Sequence, residues 1–296
     1  MNKISKRGTF KDQEKINVEN RAIALVETAA EALFAKYRTL DGAFGGRYVN
    51  SDLFKEVFDD YNASPAHRTC YNTAVHNAAA VLADELFHRM VAKPDTRKTV
   101  LFITGIPGAG KTTAIQENED IRFDKYRVVY EGQLASPEQA REKIDWCLGH
   151  KCNVIVFVFH RKPAQALEHT FCRFNKCGRG ASVQAMSNIQ GGLAKSMPVL
   201  MAEYEANANV TFCVIDLDKG DCLPVCDDIT LFNSVLTKEG DTNAIRTTLE
   251  QRLEQARNDG RISDACYQQA KGREAYELSR LQELYVRASE DNKKTS

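Results

Sequence analysis

Apolar residues recur along this chain with two periods. Residues 17 to 38, "NVENRAIALVETAAEALFAKYR", set Ile23, Val26, Ala30, Leu33 and Tyr37 at the spacing of one helix face. Residues 73 to 92, "TAVHNAAAVLADELFHRMVA", form a second striped helix, and "KPDTRK" is a short linker. Between them "LDGAFGG" breaks the first helix. "RYVNSDLFKEVFDDY" then predicts a short strand ending near Ser51 and Asp52, with a helix starting at once. From residue 99 the period changes. "TVLFIT", "YRVVYEG", "CNVIVFVFH" and "VTFCVIDLD" read as strands, and the third is apolar enough to predict burial on both faces. "KTTAIQENED" opens a helix, and "SPEQAREKIDWCLGH" is a helix capped by Ser136 with Pro137 first. "PAQALEHTFCRFNK" is another helix, followed by the Gly-rich "CGRGASVQAMSNIQGG". This alternation predicts an α/β fold with a parallel sheet covered on both faces. Beyond residue 240 the chain is polar and helical, and "NDGRIS" predicts the turn of a helical hairpin.

Chemistry enters at "LFITGIPGAGKTTAI", residues 101 to 115. Gly105, Gly108, Gly110, Lys111 and Thr112 fit the phosphate-loop pattern G-x-x-x-x-G-K-[ST]. Glycine permits the torsions that turn successive N–H groups inward around an anion, and the following helix adds the positive end of its dipole. Lys111 is placed to reach the β- and γ-phosphates, and the Thr112 hydroxyl to ligate Mg²⁺. Pro107, Ala109 and Thr113 complete the loop. The expected fold is therefore a phosphate-loop NTPase three-layer sandwich that binds ATP or GTP with Mg²⁺.

Composition narrows the partners. Forty basic and 40 acidic residues balance, which argues against a nucleic-acid partner. No apolar run approaches the ~20 residues that span a bilayer, and the charged start "MNKISKRGTFKDQEK" lacks a signal's apolar core. A cytoplasmic protein is expected. Nine cysteines, an odd number, are read as reduced thiols, with Cys152, Cys172 and Cys213 packed as small hydrophobes. "CRFNKC" and "CLPVC" lack a matching His set for zinc.

A phosphate loop alone does not separate a kinase from a switch. Transfer to a hydroxyl also needs a carboxylate for the hydroxyl proton and cations for the moving charge. Strand ends are where open α/β sheets bind ligands, and acidic groups stand there: Asp52, Glu131, and Asp216 with Asp218. Asp52 also suits a helix N-cap, Glu131 an exposed turn, and Asp216 a polar strand end. Arg173 and Arg179 flank "FNKCG", suited either to a γ-phosphate or to a solvated helix face.

The combination resembles the zeta toxins, phosphate-loop kinases of the sugar 3′-hydroxyl of UDP-N-acetylglucosamine. The resemblance covers roughly residues 45 to 220 and rests on "GIPGAGKTT", on "YEGQL" in place of the family's EGT turn, and on "GRGASV", similar to its GR-V segment. It implies Lys111 and Thr112 as ATP and Mg²⁺ residues, Glu131 as a substrate ligand, and Arg173 and Arg179 as phosphate clamps. Two departures stand out. The family's catalytic Asp segment follows the loop, whereas the similar "NSDLFKEVFDDY" precedes it here. The expectation is that Asp52 still reaches the site as base and Mg²⁺ neighbour, on a strand beside "TVLFIT". The alternative is a separate helical domain over residues 1 to 95, with Asp124 as base. The second departure is Gln133, which stands at a hydroxyl position and leaves the acceptor open to another nucleotide such as NAD. The expected organisation is a helical region 1–44, a kinase core 45–230 and a helical hairpin 231–296. The resemblance further implies a toxin held by an antitoxin, and residues 1 to 40 are a candidate inhibitory helix. A nucleotide-dependent switch or ATPase is the competing reading.

Overall fold

In the computed structural model, which describes residues 4, 7–117, 122–218, 225–226, 229–273 and 277–294, Asp12 opens the first helix. Its carboxylate accepts the Glu14 N–H at 2.8 Å, and α1 (Gln13–Arg38) then buries Val18, Ile23, Val26, Phe34 and Tyr37. A 3₁₀ turn, Asp41–Gly46, leads into β1 (Tyr48–Asn50). Four helices follow: α2 (Ser51–Phe54), α3 (Asp59–Asn62), α4 (Pro65–Tyr71) and α5 (His76–Ala92). The chain then alternates: β2 (Thr99–Thr104), α6 (Lys111–Glu117), β3 (Val128–Glu131), α7 (Pro137–Gly149), β4 (Asn153–His160), α8 (Pro163–Cys177), α9 (Val183–Tyr204) and β5 (Val210–Asp216). It continues through β6 (Val225–Cys226), α10 (Ile229–Thr237), α11 (Thr242–Asn258), α12 (Asp264–Ala270) and α13 (Leu278–Lys294).

The sheet runs β1-β3-β2-β4-β5-β6, parallel except for the antiparallel edge β6. The fold class read from the alternation is the one observed, a parallel sheet between helices. Strand β1 joins the sheet, but not beside "TVLFIT" as expected. It pairs with β3, Asn50 opposite Glu131, and β3 separates it from β2. The reason lies in α1. The Tyr37 hydroxyl donates to Tyr48 O (2.7 Å) and accepts from Asn50 N (3.1 Å), and its ring stacks on Phe54, fixing β1 at the sheet edge. Residues 1 to 95 are thus not a separate domain, and the described part of residues 1 to 40 is built into the core rather than laid over the site.

Successive strand residues point to opposite faces. Val100, Phe102, Val128, Val154 and Val156 enter the larger core with α5, α7 and α9. Leu101, Ile103, Val129, Phe159 and Ile215 face the thinner layer with Ile115 of α6. Ile155 and Phe157 on that side are only half-buried, so β4 is not enclosed on both faces along its whole length. The Gly-rich stretch leads into α9, capped by Ser182 accepting Ala185 N–H at 3.2 Å. In the tail, "NDGRIS" is the turn between α11 and α12, as expected, and α13 adds a third helix. Helix α11 packs on α9 and α8, α13 packs on α4, and their apolar residues join the same core. Cys152 and Cys213 are buried as expected, whereas Cys172 is exposed rather than packed. Among the described residues no helix is long and apolar enough to cross a membrane.

Candidate active site

The loop between β2 and α6 closes tightly on the sheet. At Gly108, φ is +80°, and a Cβ would stand 2.1 Å from the Ala166 carbonyl oxygen on α8. Only hydrogen fits there. Gly108→Ala should therefore lose about 2–3 kcal/mol of stability, because a left-handed torsion and a backbone collision coincide. A urea titration checks it, and an unchanged midpoint would mean that the loop stands free of α8. His169, one turn further along α8, holds the same glycine, with Nδ1 2.8 Å from Gly108 O. Ala109 is buried, and its carbonyl accepts Arg161 Nε at 2.9 Å.

Lys111 bends back over the loop. Its ammonium donates to Gly105 O and Ile106 O, both at 3.0 Å, and lies 3.5 Å from Glu131 Oε1. The other Glu131 oxygen accepts the Tyr48 hydroxyl. Burial, then the Glu131 charge, hold Tyr48 well above the usual phenol range, so it stays a donor. Glu131 thus sits between a cation and a phenol, not at an exposed turn. Thr112 and Thr113 are exposed on the first turn of α6 and line the cavity above the loop.

That cavity has a volume of about 540 Å³ and gathers residues from distant parts of the chain. Asp52 from α2, Lys111, Thr112, Arg173 and Arg179 all border it, as do Gly105, Pro107, Gly108, Gly110, Glu131 and Gln133. Asp52 does not cap α2. That part falls to Asn50, whose Oδ1 accepts Asp52 N–H at 2.7 Å and Leu53 N–H at 3.1 Å. The Asp52 carboxylate is left free to face the cavity, half exposed, with Oδ1 2.7 Å from buried Lys55 and Oδ2 3.7 Å from Arg179. The Lys55 charge, against the opposing effect of burial, and then Arg179 and Arg173 hold its carboxyl far below the usual carboxylate range. It remains an anion. The cations beside it are side chains, and Lys55 is itself held by Asn72 Oδ1 at 2.8 Å.

The two arginines differ. Arg179 reaches Asp52 and, at 3.4 Å, Glu56, so it belongs to the carboxylate cluster. Arg173 makes no ion pair among the described residues and borders the cavity beside the loop. Asp124 lies outside the cavity lining, exposed and paired with Arg122 at 2.6 Å, which removes it as the alternative base. Asp216 has a structural partner. Lys238 stands 3.1 Å from it and 3.5 Å from Asp218, beside His160 at the ends of β4 and β5. Burial and the Lys238 charge lower His160 to about 4, leaving it neutral.

Sequence reading missed His169, Arg161 and Lys55. His169 and Arg173 are four apart on one helix, the spacing that brings both to one face, and that was the available signal. Arg161 and Lys55 carried none.

No protein-family model matches the chain, and no curated protein matches it. Among solved structures, a chain from the PezAT chromosomal toxin–antitoxin system of the human pathogen Streptococcus pneumoniae aligns with 87% of this chain and 100% of its own. The identity is 11% and the TM-score 0.38, a likeness too slight to bear on activity.

Proposed function

We propose that the protein is a kinase that moves the γ-phosphoryl group of ATP, or of GTP, to a hydroxyl of a nucleotide-linked small molecule. UDP-N-acetylglucosamine is the first acceptor to test and NAD the second. One observation carries the reading: Asp52, Lys111, Arg173 and Arg179 border one cavity over a phosphate loop. A motor or switch shares the loop, and what transfer to a hydroxyl requires beyond it is a carboxylate for the hydroxyl proton, the part that half-exposed Asp52 would take at this cavity.

The residues divide the work. Loop amides and Lys111 hold the β- and γ-phosphates, Lys111 exchanging its loop carbonyls for phosphate oxygens. Asp52 accepts the hydrogen bond of the acceptor hydroxyl and takes its proton as the oxygen bonds to phosphorus. Arg173 meets the charge spread over the moving group. Arg179, paired with Asp52 and Glu56, keeps the base aimed. Glu131 and Gln133 border the acceptor side. The cradle fits Mg²⁺ through the Thr112 hydroxyl, and the ion would neutralise phosphate charge there. The resemblance of "GIPGAGKTT", "YEGQL" and "GRGASV" to the zeta toxins supports the same reading. It also supports a toxin role with an antitoxin as partner.

The test is acceptor-dependent ADP release over a panel of nucleotide-linked sugars and dinucleotides. Lys111→Met, which keeps the stem and drops the charge, should cut the rate about 10²-fold by analogy with loss of one fixed donor. ADP release that no small acceptor stimulates, but a protein does, would favour the switch.

A further inference from the structure

One wall of the cavity is a ladder of rings. Phe44 stacks on Phe123 with centroids 4.0 Å apart and planes 12° from parallel. Phe123 in turn meets Tyr48 edge-on at 5.8 Å. The Tyr48 hydroxyl donates to Glu131, whose other oxygen faces Lys111. The ladder therefore runs from solvent to the carboxylate beside the phosphate loop. Its outer rung is unusual in two ways. Phe44 is 41% exposed, and its backbone sits at φ +47°, ψ +50°, in the left-handed region that a bulky residue rarely takes. Folding alone gains little from holding a ring there, since neither its exposed face nor its torsion is favourable. Such outliers collect where ligands bind.

Resting on the kinase reading, we propose that the open face of Phe44 is the stacking platform for a planar ring on the phosphoryl acceptor. Phe44 is then a specificity-determining residue. It selects hydroxyl compounds that carry a nucleobase or similar flat heterocycle over bare sugars and sugar phosphates. The turn that carries Phe44 packs beside the base: a Cβ on Gly42 would stand 3.5 Å from Leu53, the neighbour of Asp52. The ladder and Asp52 thus share the β1 and β3 side of the loop. The other flank, where Arg161 and Leu217 stand 3.6 and 3.7 Å from a Cβ at Gly110, is left for the body of the donor nucleotide. Every base has a π-face, so this platform reads the presence of a ring more than its identity.

Titration calorimetry on the full chain, with a non-hydrolysable ATP analogue bound, tests the platform without turnover. The probes are UDP-N-acetylglucosamine and NAD, with N-acetylglucosamine 1-phosphate as the control that lacks a planar ring. At least one ring-bearing probe should bind more tightly than the control. Phe44→Leu keeps apolar bulk but has no flat face, and should raise the Kd of that probe about 10- to 100-fold. Phe44→Tyr should keep it, and the Kd of the ATP analogue should not move in either variant. The platform is overturned by an unchanged probe Kd in Phe44→Leu, by weakened ATP-analogue binding instead, or by a control that binds as tightly. It is equally overturned if neither ring-bearing probe binds the wild-type protein. Ring-dependent binding with no phosphoryl transfer would remove the kinase reading alone. Transfer that is indifferent to Phe44→Leu would remove the platform alone.

Discussion

Asp52→Asn is expected to lower phosphoryl transfer by about 10³-fold while ATP still binds. The substitution keeps size and shape. Asn50, not Asp52, caps α2, so the helix end keeps its hydrogen bonds. Buried Lys55 keeps Asn72 as partner. What disappears is the anion. An amide cannot take the hydroxyl proton when the oxygen bonds to phosphorus, nor balance the positive Lys55 and Arg179 beside it. With the carboxylate half exposed, screening keeps the stability loss to about 1 kcal/mol. The sign with pH follows from the lowered carboxyl. The ion pairs stabilise the fold fully above the unfolded carboxylate range and lose that contribution as pH falls through the folded one. In the wild-type protein, protonation of Asp52 should therefore not limit the rate at any pH above about 5. Rates of ADP release in the two proteins, with nucleotide binding measured alongside, decide it. A folded Asp52→Asn protein with wild-type rate moves the base elsewhere.

The phosphate loop and its two flanking elements were legible because each part has a local cause: glycine torsions, an apolar strand, a helix start. The cavity was legible in residues but not in geometry. That "NSDLF" reaches the site followed from chemistry, since a transferase needs a carboxylate. That β1 does so across β3 did not, because the position of a three-residue strand is set by Tyr37, on a helix that sequence reading could only call amphipathic. Helix α9 was hidden by composition. Gly191, Gly192 and Pro198 suggest a loop, yet Val183, Met186, Ile189, Leu193, Met197 and Leu200 keep the helical period and are buried. The glycines are packing sites: a Cβ at Gly191 would collide with Thr242, at 1.9 Å from its hydroxyl oxygen, so Gly191 lets α11 approach, and one at Gly192 would stand 2.7 Å from the Ala135 Cβ. Tertiary contact overrode propensity. The same limit hid Lys55, whose lysine signal is indistinguishable from a solvated one until burial places it against Asp52.

Arg173→Ala should lower kcat by about 10³-fold with little change in the KM for ATP, an effect of the size that charge-stabilising arginines carry in phosphoryl transfer. The two arginines of the cavity look alike in sequence and are separated by their partners. Arg179 already faces two carboxylates, Asp52 at 3.7 Å and Glu56 at 3.4 Å, so its charge is committed before any ligand arrives. Arg173 pairs with no carboxylate among the described residues and lines the same cavity as Asp52. A cation in that position gains most from an anion whose charge grows during transfer, and less from the ground-state triphosphate already held by the loop. Its loss should thus appear in kcat. Arg173→Lys should recover only part, because an ammonium is a point charge without the guanidinium's fork. Arg179→Ala should act differently. It loosens Asp52 and leaves Glu56, among the described residues, with Arg68 alone at 3.8 Å, so its smaller kcat loss should come with lower stability. Steady-state kinetics and urea titrations on the three variants separate these outcomes. If Arg173→Ala raised the KM for ATP and left kcat intact, the residue would be a ground-state phosphate ligand, and Arg179 would become the candidate for transition-state charge.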